Sequence, residues 1–352
     1  MSKKLLSFIL VLVLILASLA GCAKRSGGRA ETAPVKKEPV ETGGVPSGLP
    51  ETDGPEPEPD GDISPALWRV TDGERTLYLL GTIHVGDGRS DGALAAVGDL
   101  FDKCDALAVE FDIVAFENDL TSAINEIQQF LYTDGTTVRD HITEDLYERS
   151  LEIIKSGGDY SPLLERYNLA IWEQTLDQAL IKPSGLSPDY GMDGLLLDRA
   201  YERGMEILEV ESAHFQYGLM NGFPEELYVL LIEDTVDNSD EYQADLQEMY
   251  ETWLRGDTDA LEEFILGSED EQEQDLTDDQ IALIEEYNRK MGEERNLGMA
   301  DKAESYLKSG KTVFFAVGAA HMLGDAGLVK LLTDKGYEVT RVEPPYLPTN
   351  NA

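Results

Sequence analysis

The chain has 352 residues, 42% of them hydrophobic, which suffices for one large domain or a domain carrying an insertion. Its 69 acidic against 28 basic residues give a net charge of -41, a field that argues against binding nucleic acid or anionic lipid through charge. Two cysteines are too few for a disulfide framework, so stability has to come from packing.

At the N-terminus Lys3 and Lys4 precede an apolar run from Leu5 to Leu16, interrupted only by Ser7 and followed by the small residues Ala17, Ser18, Ala20 and Gly21. The pattern predicts a secretory signal over residues 1–22. The run is shorter than the roughly 18 to 20 residues that cross a bilayer comfortably. Leu19-Ala20-Gly21-Cys22 resembles a bacterial lipobox, where small residues admit the peptidase and the thiol carries diacylglycerol. Cys22 is therefore the expected lipidation site; an uncleaved anchor is the alternative. Either way the domain is expected outside the cytoplasm, attached to the cell membrane. Residues 23–62 are dominated by Gly, Pro, Glu and Lys and cannot bury enough surface to offset ordering, which predicts a disordered, semi-extended tether.

The domain is expected over residues 63–345, with a short tail at 346–352. Thr76 to Ile83 is an apolar run of strand length that ends at His84. Asp91 to Lys103 has helical spacing, and Ala106 to Phe111 predicts a second buried strand that delivers Glu110. Strand, helix, strand favours a parallel pair with a right-handed crossover, both polar residues lying at the carboxyl edge. Asp112 to about Arg203 reads as mostly helical, with breaks at Gly157-Gly158, Ser161-Pro162 and from Pro183 to Pro188. Gly204 to Glu211 predicts a short strand with Glu209 and Glu211 on one face. Helices follow from Pro224 to Leu307, then a strong strand from Thr312 to Val317, a helix from about Ala326 to Lys335 and an edge strand from Glu338 to Val342. The chain is α/β: a central mixed, largely parallel sheet with long helical insertions.

Two segments are alike: Gly81-Thr82-Ile83-His84 followed by Gly86-Asp87, and Gly318-Ala319-Ala320-His321 followed by Gly324-Asp325. In each, glycine lets the backbone turn or approach closely as the strand ends, and the histidine lands on the sheet's carboxyl edge. Neutral imidazoles are good ligands for Zn, Mn, Co or Fe, and a carboxylate is the usual third ligand. Glu110, flanked by Ala108, Val109 and Phe111, is the natural candidate. A buried Glu110 paired with Arg295 is the structural alternative.

Over nearly all of residues 63–345 the sequence resembles the TraB/GumN family, which includes the TIKI-type proteases. The resemblance is carried by the segment from Leu67 through His84 to Asp87, Ala108-Val109-Glu110, Tyr190-Gly191-Met192-Asp193-Gly194, Val210-Glu211-Ser212 with Gln216, Arg295-Asn296 with Met299-Ala300, and the segment from Val317 through His321 to Val339. It implies the fold shared by TIKI proteins, erythromycin esterases and ChaN-like proteins. It also implies that His84 and His321 are essential, with Glu110 and Arg295 beside them. The expected activity is that of a metal-dependent hydrolase using Mn, Co or Zn, with a peptide or protein as the favoured substrate. In that scheme His84, His321 and Glu110 hold the metal, Glu211 accepts the water's proton or is itself a ligand, Arg295 stabilises the oxyanion and Asp193 orients a histidine. The competing expectation is a surface lipoprotein that binds a metal or haem without turnover.

Other features carry less. Glu211 and His214 have a Glu-x-x-His spacing, but the strand is expected to end between them. His141 is expected near a helix start with no site role, Cys104 as a buried inert thiol, and Glu271 to Gln274 as a solvated run. Gly310-Lys311-Thr312 lacks the first glycine of a phosphate loop and precedes a strand instead of a helix. No dinucleotide fingerprint, Gly-x-Ser-x-Gly elbow or His-Glu-x-x-His helix occurs.

Overall fold

A computed structural model describes residues 63–267 and 276–346. The signal segment with Cys22, the tether and the run from Glu271 to Gln274 lie outside the described residues, as does all but the first residue of the tail. The sheet has six strands: β1 (Leu67–Thr71), β2 (Thr76–Thr82), β3 (Ala106–Val109), β4 (Glu206–Glu209), β5 (Val313–Gly318) and β6 (Glu338–Arg341), in the order β4-β3-β5-β2-β1-β6. β2, β5, β3 and β4 run parallel, while β1 pairs antiparallel with both β2 and β6, so the sheet is mixed and largely parallel.

The sequence explains this layering. β2, β3 and β5 read as continuous apolar runs because helices cover both of their faces, and every residue of β3 is buried. The outer strands β4 and β6 are short and carry charge, as edges must to avoid pairing with other chains. The helix Ser90–Phe101 makes the crossover between β2 and β3, and its Phe101 meets Phe314 of β5 edge to face at 5.1 Å.

Two expectations change. β2 and β3 are parallel but not neighbours, because β5 from the far end of the chain inserts between them. The sequence pattern places no strand at β1; the Asp72-Gly73 turn and the alternating burial of Trp68 to Thr71 mark it as the first arm of a hairpin.

A second apolar cluster lies in a helical layer and includes Phe130, Trp172, Tyr217, Leu227 and Ile232. The helix Leu169–Ile181 runs from that cluster into the sheet's own core, to which Leu180 and Ile181 belong. The helix Ser239–Arg255 ties the helices to the sheet: Trp253 Nε1 donates to the Gly81 carbonyl at 2.8 Å, and Tyr250 hydroxyl lies 2.8 Å from Ser90 Oγ. Among the described residues no helix is long and apolar enough to cross a membrane.

Candidate functional site

Strand register brings the two Gly-x-x-His segments together. Thr82 pairs with Gly318, so both segments leave the sheet side by side, and Val109 pairs with Ala316, so Glu110 emerges next to them. The β3–β4 ladder continues past the strand ends through Glu211 N–H to the Glu110 carbonyl at 2.8 Å. One carboxyl edge thus receives His84, His321, Glu110 and Glu211. The two glycines do different things. A Cβ on Gly81 would stand 2.9 Å from Ala319 Cα, so Gly81 admits the turn that carries His321. Gly318 N–H donates to Glu110 Oε1 at 2.9 Å, and the space over its Cα is bounded by that oxygen, His321 and His84 Nε2.

His84 is held from behind. Its Nδ1 lies 2.7 Å from Asp193 Oδ2, while Asp193 Oδ1 accepts from Thr82 Oγ1. Asp193 sits in the first turn of the helix Met192–Arg203, where the helix dipole favours a carboxylate. That helix begins against the strand end, with Met192 N–H donating to the Ile83 carbonyl at 2.9 Å. Gly191 makes the approach possible, since a Cβ there would lie 2.5 Å from the His84 carbonyl oxygen. Burial pushes the His84 imidazole toward neutrality, but the Asp193 charge and hydrogen bond, aided by Glu110, outweigh it and raise its pKa to about 9.

His321 is held differently. Asn296 Nδ2 donates to the Ala326 carbonyl at 2.9 Å, which leaves Asn296 Oδ1 to accept from His321 Nδ1 at 2.6 Å. The proton is therefore on Nδ1, and Nε2 offers a lone pair. Burial, followed by the nearby Arg295 charge, lowers this imidazole to about 3.

Glu110 divides its oxygens. Oε2 accepts from Arg295 Nη2 and Gln216 Nε2, both at 2.8 Å, whereas Oε1 has the Gly318 amide and faces His321 Nε2 at 3.9 Å. Burial would raise its pKa, but Arg295 first and then the two histidines hold it well below the carboxylate range. Arg295, 3% exposed, also donates from Nε and Nη2 to Glu211 and from Nη1 to the Met291 carbonyl. A single π-turn, Arg289–Glu293, aims it inward just before the helix Glu294–Leu307.

Among the described residues no group of three or more His, Cys, Asp or Glu side chains is placed so as to hold a metal ion. In chemical kind and charge the cluster nevertheless suits a divalent cation. His321 Nε2 and Glu110 Oε1 are both acceptors facing one another, an arrangement that calls for a cation or a donor between them. Asp193, Glu110 and Glu211 stand against Arg295 and the His84 imidazolium, so one negative charge is uncompensated, and two once a cation displaces the His84 proton. Gln216 Oε1 is buried without a hydrogen-bond partner in the same cluster. Each histidine is anchored through Nδ1 to an oxygen, the outer support that metal-ligating histidines carry.

The six residues expected at the site form two groups that meet around Gly318: the His84–Asp193 pair, and Glu110 and Glu211 with Arg295 and, at 3.9 Å from Glu110, His321. Glu209 does not join Glu211 on a shared face: it is exposed, and its Oε1 accepts from Asp112 N–H at 3.0 Å. His214 is 82% exposed and pairs with Glu126, which separates it from Glu211. His141 pairs with Glu225 at 2.8 Å and stacks on Tyr132, a clasp within the helical layer. Lys311 pairs with Glu206. Asn296, Gln216 and Thr82 were not assigned roles from sequence; the first two occurred only as landmarks of the resemblance.

The sequence profile of the TraB/PrgY/gumN family matches residues 66–341. Among curated proteins, the uncharacterized protein YbaP of Escherichia coli strain K12 is 24% identical over 268 residues, which cover 76% of this chain and 92% of YbaP. YbaP of Shigella flexneri matches at the same identity and coverage. No solved structure gives a significant match.

Proposed function

Since this chain belongs to the TraB/PrgY/gumN family, we propose that it is a metal-dependent hydrolase, with peptide bonds as the favoured target, held at the outer face of the cell membrane by a lipid on Cys22. The observation that carries the catalytic reading is the facing pair of lone pairs on His321 Nε2 and Glu110 Oε1, 3.9 Å apart, in a buried cluster with surplus negative charge. His84 Nε2, His321 Nε2 and Glu110 Oε1 are the atoms that would hold Mn, Co or Zn. Such an ion supplies Lewis acidity, activating a bound water and polarising a carbonyl.

The chain's own residues prepare that chemistry. Asn296 keeps the His321 proton on Nδ1, and Asp193 with Thr82 orients His84. Arg295 holds Glu110 ionised and keeps Glu110 and Glu211 in place. Glu211 is assigned the acceptance of the water's proton. Arg295 and Gln216 crowd Glu211 Oε2, which leaves Oε1, bonded to Arg295 Nε alone, as the oxygen free to act as a base; for Arg295 to meet an oxyanion, one of its bonds to Glu211 has to open. His321 is 7% and Glu110 8% exposed, which favours a small reacting group over a flat haem face.

Incubating the metal-supplemented protein with a peptide library tests the reading. New N-termini are expected that vanish with chelator and in His321→Ala. Cleavage that persists in His321→Ala, or haem uptake with a Soret band and no cleavage, would contradict it.

A further inference from the structure

Gln216 is 2% exposed and lies near the start of the helix Ala213–Asn221, which begins just after Glu211. Ser212 caps that helix: its hydroxyl accepts from Phe215 N–H at 3.2 Å and its carbonyl from Gln216 N–H at 3.1 Å. From this first turn the Gln216 side chain reaches back to both glutamates of the sheet's edge. Its Nε2 donates to Glu211 Oε2 at 2.7 Å and to Glu110 Oε2 at 2.8 Å. Arg295 Nη2 donates to the same two oxygens, at 2.8 Å each. Two nitrogens, each with two N–H groups, thus close a ring of four hydrogen bonds with two carboxylate oxygens.

The Gln216 amide cannot be turned round, because its oxygen would then face both carboxylate oxygens. In the orientation this fixes, Gln216 Oε1 is buried without a hydrogen-bond partner. A buried acceptor without a donor works against the fold, and an apolar side chain of similar size carries no such atom. Stability alone therefore does not account for a glutamine here. Charge separates the two donors. Arg295 brings one positive charge to two carboxylates, whereas Gln216 brings hydrogen bonds and none. A cationic side chain at this position would hold the same oxygens and cancel the surplus.

We propose that Gln216 is a positioning residue, a neutral clamp that ties Glu211 to Glu110 through their Oε2 atoms and leaves the surplus negative charge of the pair in place for a cation. Both Oε1 atoms stay outside the clamp: that of Glu110 faces His321 Nε2 at 3.9 Å, and that of Glu211 has Arg295 Nε at 3.0 Å. The use made of the charge rests on the metal-dependent reading above; the clamp itself does not.

Two variants separate the roles. Gln216→Met approximates the side chain in size and removes its donors, whereas Gln216→Lys keeps donors and adds a positive charge. In the metal-free full chain labelled with 15N-glutamine, one side-chain amide pair should have both protons shifted downfield and slow to exchange, and Gln216→Met should remove it. Without metal, Gln216→Lys should melt above Gln216→Met by about 2–4 °C. Affinity for Mn should run the other way, with Gln216→Met weaker than the parent on the order of 10- to 100-fold and Gln216→Lys weaker again. A role in hydrogen bonding alone puts Gln216→Lys above Gln216→Met in both measurements, and a role in packing puts it below in both. Any order but the crossed one, or a parent without the amide pair, would overturn the clamp. A parent that shows the pair and the melting order but takes up no Mn, Co or Zn upholds the clamp and overturns the metal reading instead.

Discussion

The two site histidines have opposite protonation at neutral pH because their Nδ1 partners differ. A carboxylate behind His84 favours the imidazolium, while an amide oxygen and a nearby guanidinium keep His321 neutral. Since the folded pKa of His84 is raised, its pairing with Asp193 stabilises the protein fully below about 6.5, and the benefit is lost as pH rises through about 9. A metal on Nε2 has to displace that proton. Calorimetric metal titrations at pH 7.5 in two buffers of different ionisation enthalpy should therefore report about one proton released per site. No release would show that His84 is neutral or not a ligand. Asn296→Ala leaves the His321 Nδ1 proton without its acceptor and frees the tautomer; a loss of metal affinity on the order of 10- to 100-fold is expected, whereas unchanged affinity would make Asn296 a purely structural contact.

Elements explain which motif glycines are replaceable. Gly191 and Gly194 belong to the same short motif, but only at Gly191 does a Cβ strike backbone, the His84 carbonyl; around Gly194 nothing lies within 4 Å. Gly191→Ala should cost about 1–3 kcal/mol in chemical denaturation and disturb His84. Gly194→Ala, inside the helix Met192–Arg203, should be neutral or stabilise by up to about 1 kcal/mol. Equal effects at the two positions would mean that helix propensity, not the approach to His84, governs the motif.

The buried strands were legible as apolar runs ending at Gly-x-x-His or at Glu110, because burial on both faces writes itself into composition. Asn296 and Gln216 were not legible in their roles. Neutral amides carry no charge signal, and His321 and Glu110, which they bond, lie 25 and 106 positions away. Glu211 was found as a candidate, but its bond to Arg295, 84 positions on, depends on the π-turn that aims the arginine.

At the scale of the whole molecule, strand order was the least readable feature. Local pattern showed that β2 and β3 are parallel, but only tertiary packing decides that β5 comes between them and so sets His321 beside His84. The net charge of -41 acts on the whole chain as self-repulsion. Raising NaCl from 10 to about 150 mM shortens the screening length from roughly 30 to 8 Å. Melting by circular dichroism should accordingly shift upward over that range; a fall would show that the ion pairs outweigh the repulsion.

Whether His84 and His321 share a divalent cation, as proposed, is decided by mass-spectrometric metal analysis of the purified chain, loaded with Mn, Co or Zn and then desalted. About one ion per chain is expected in the parent and none in the folded His84→Ala, His321→Ala double variant. A parent without bound metal, or a double variant that keeps it, would overturn the shared site.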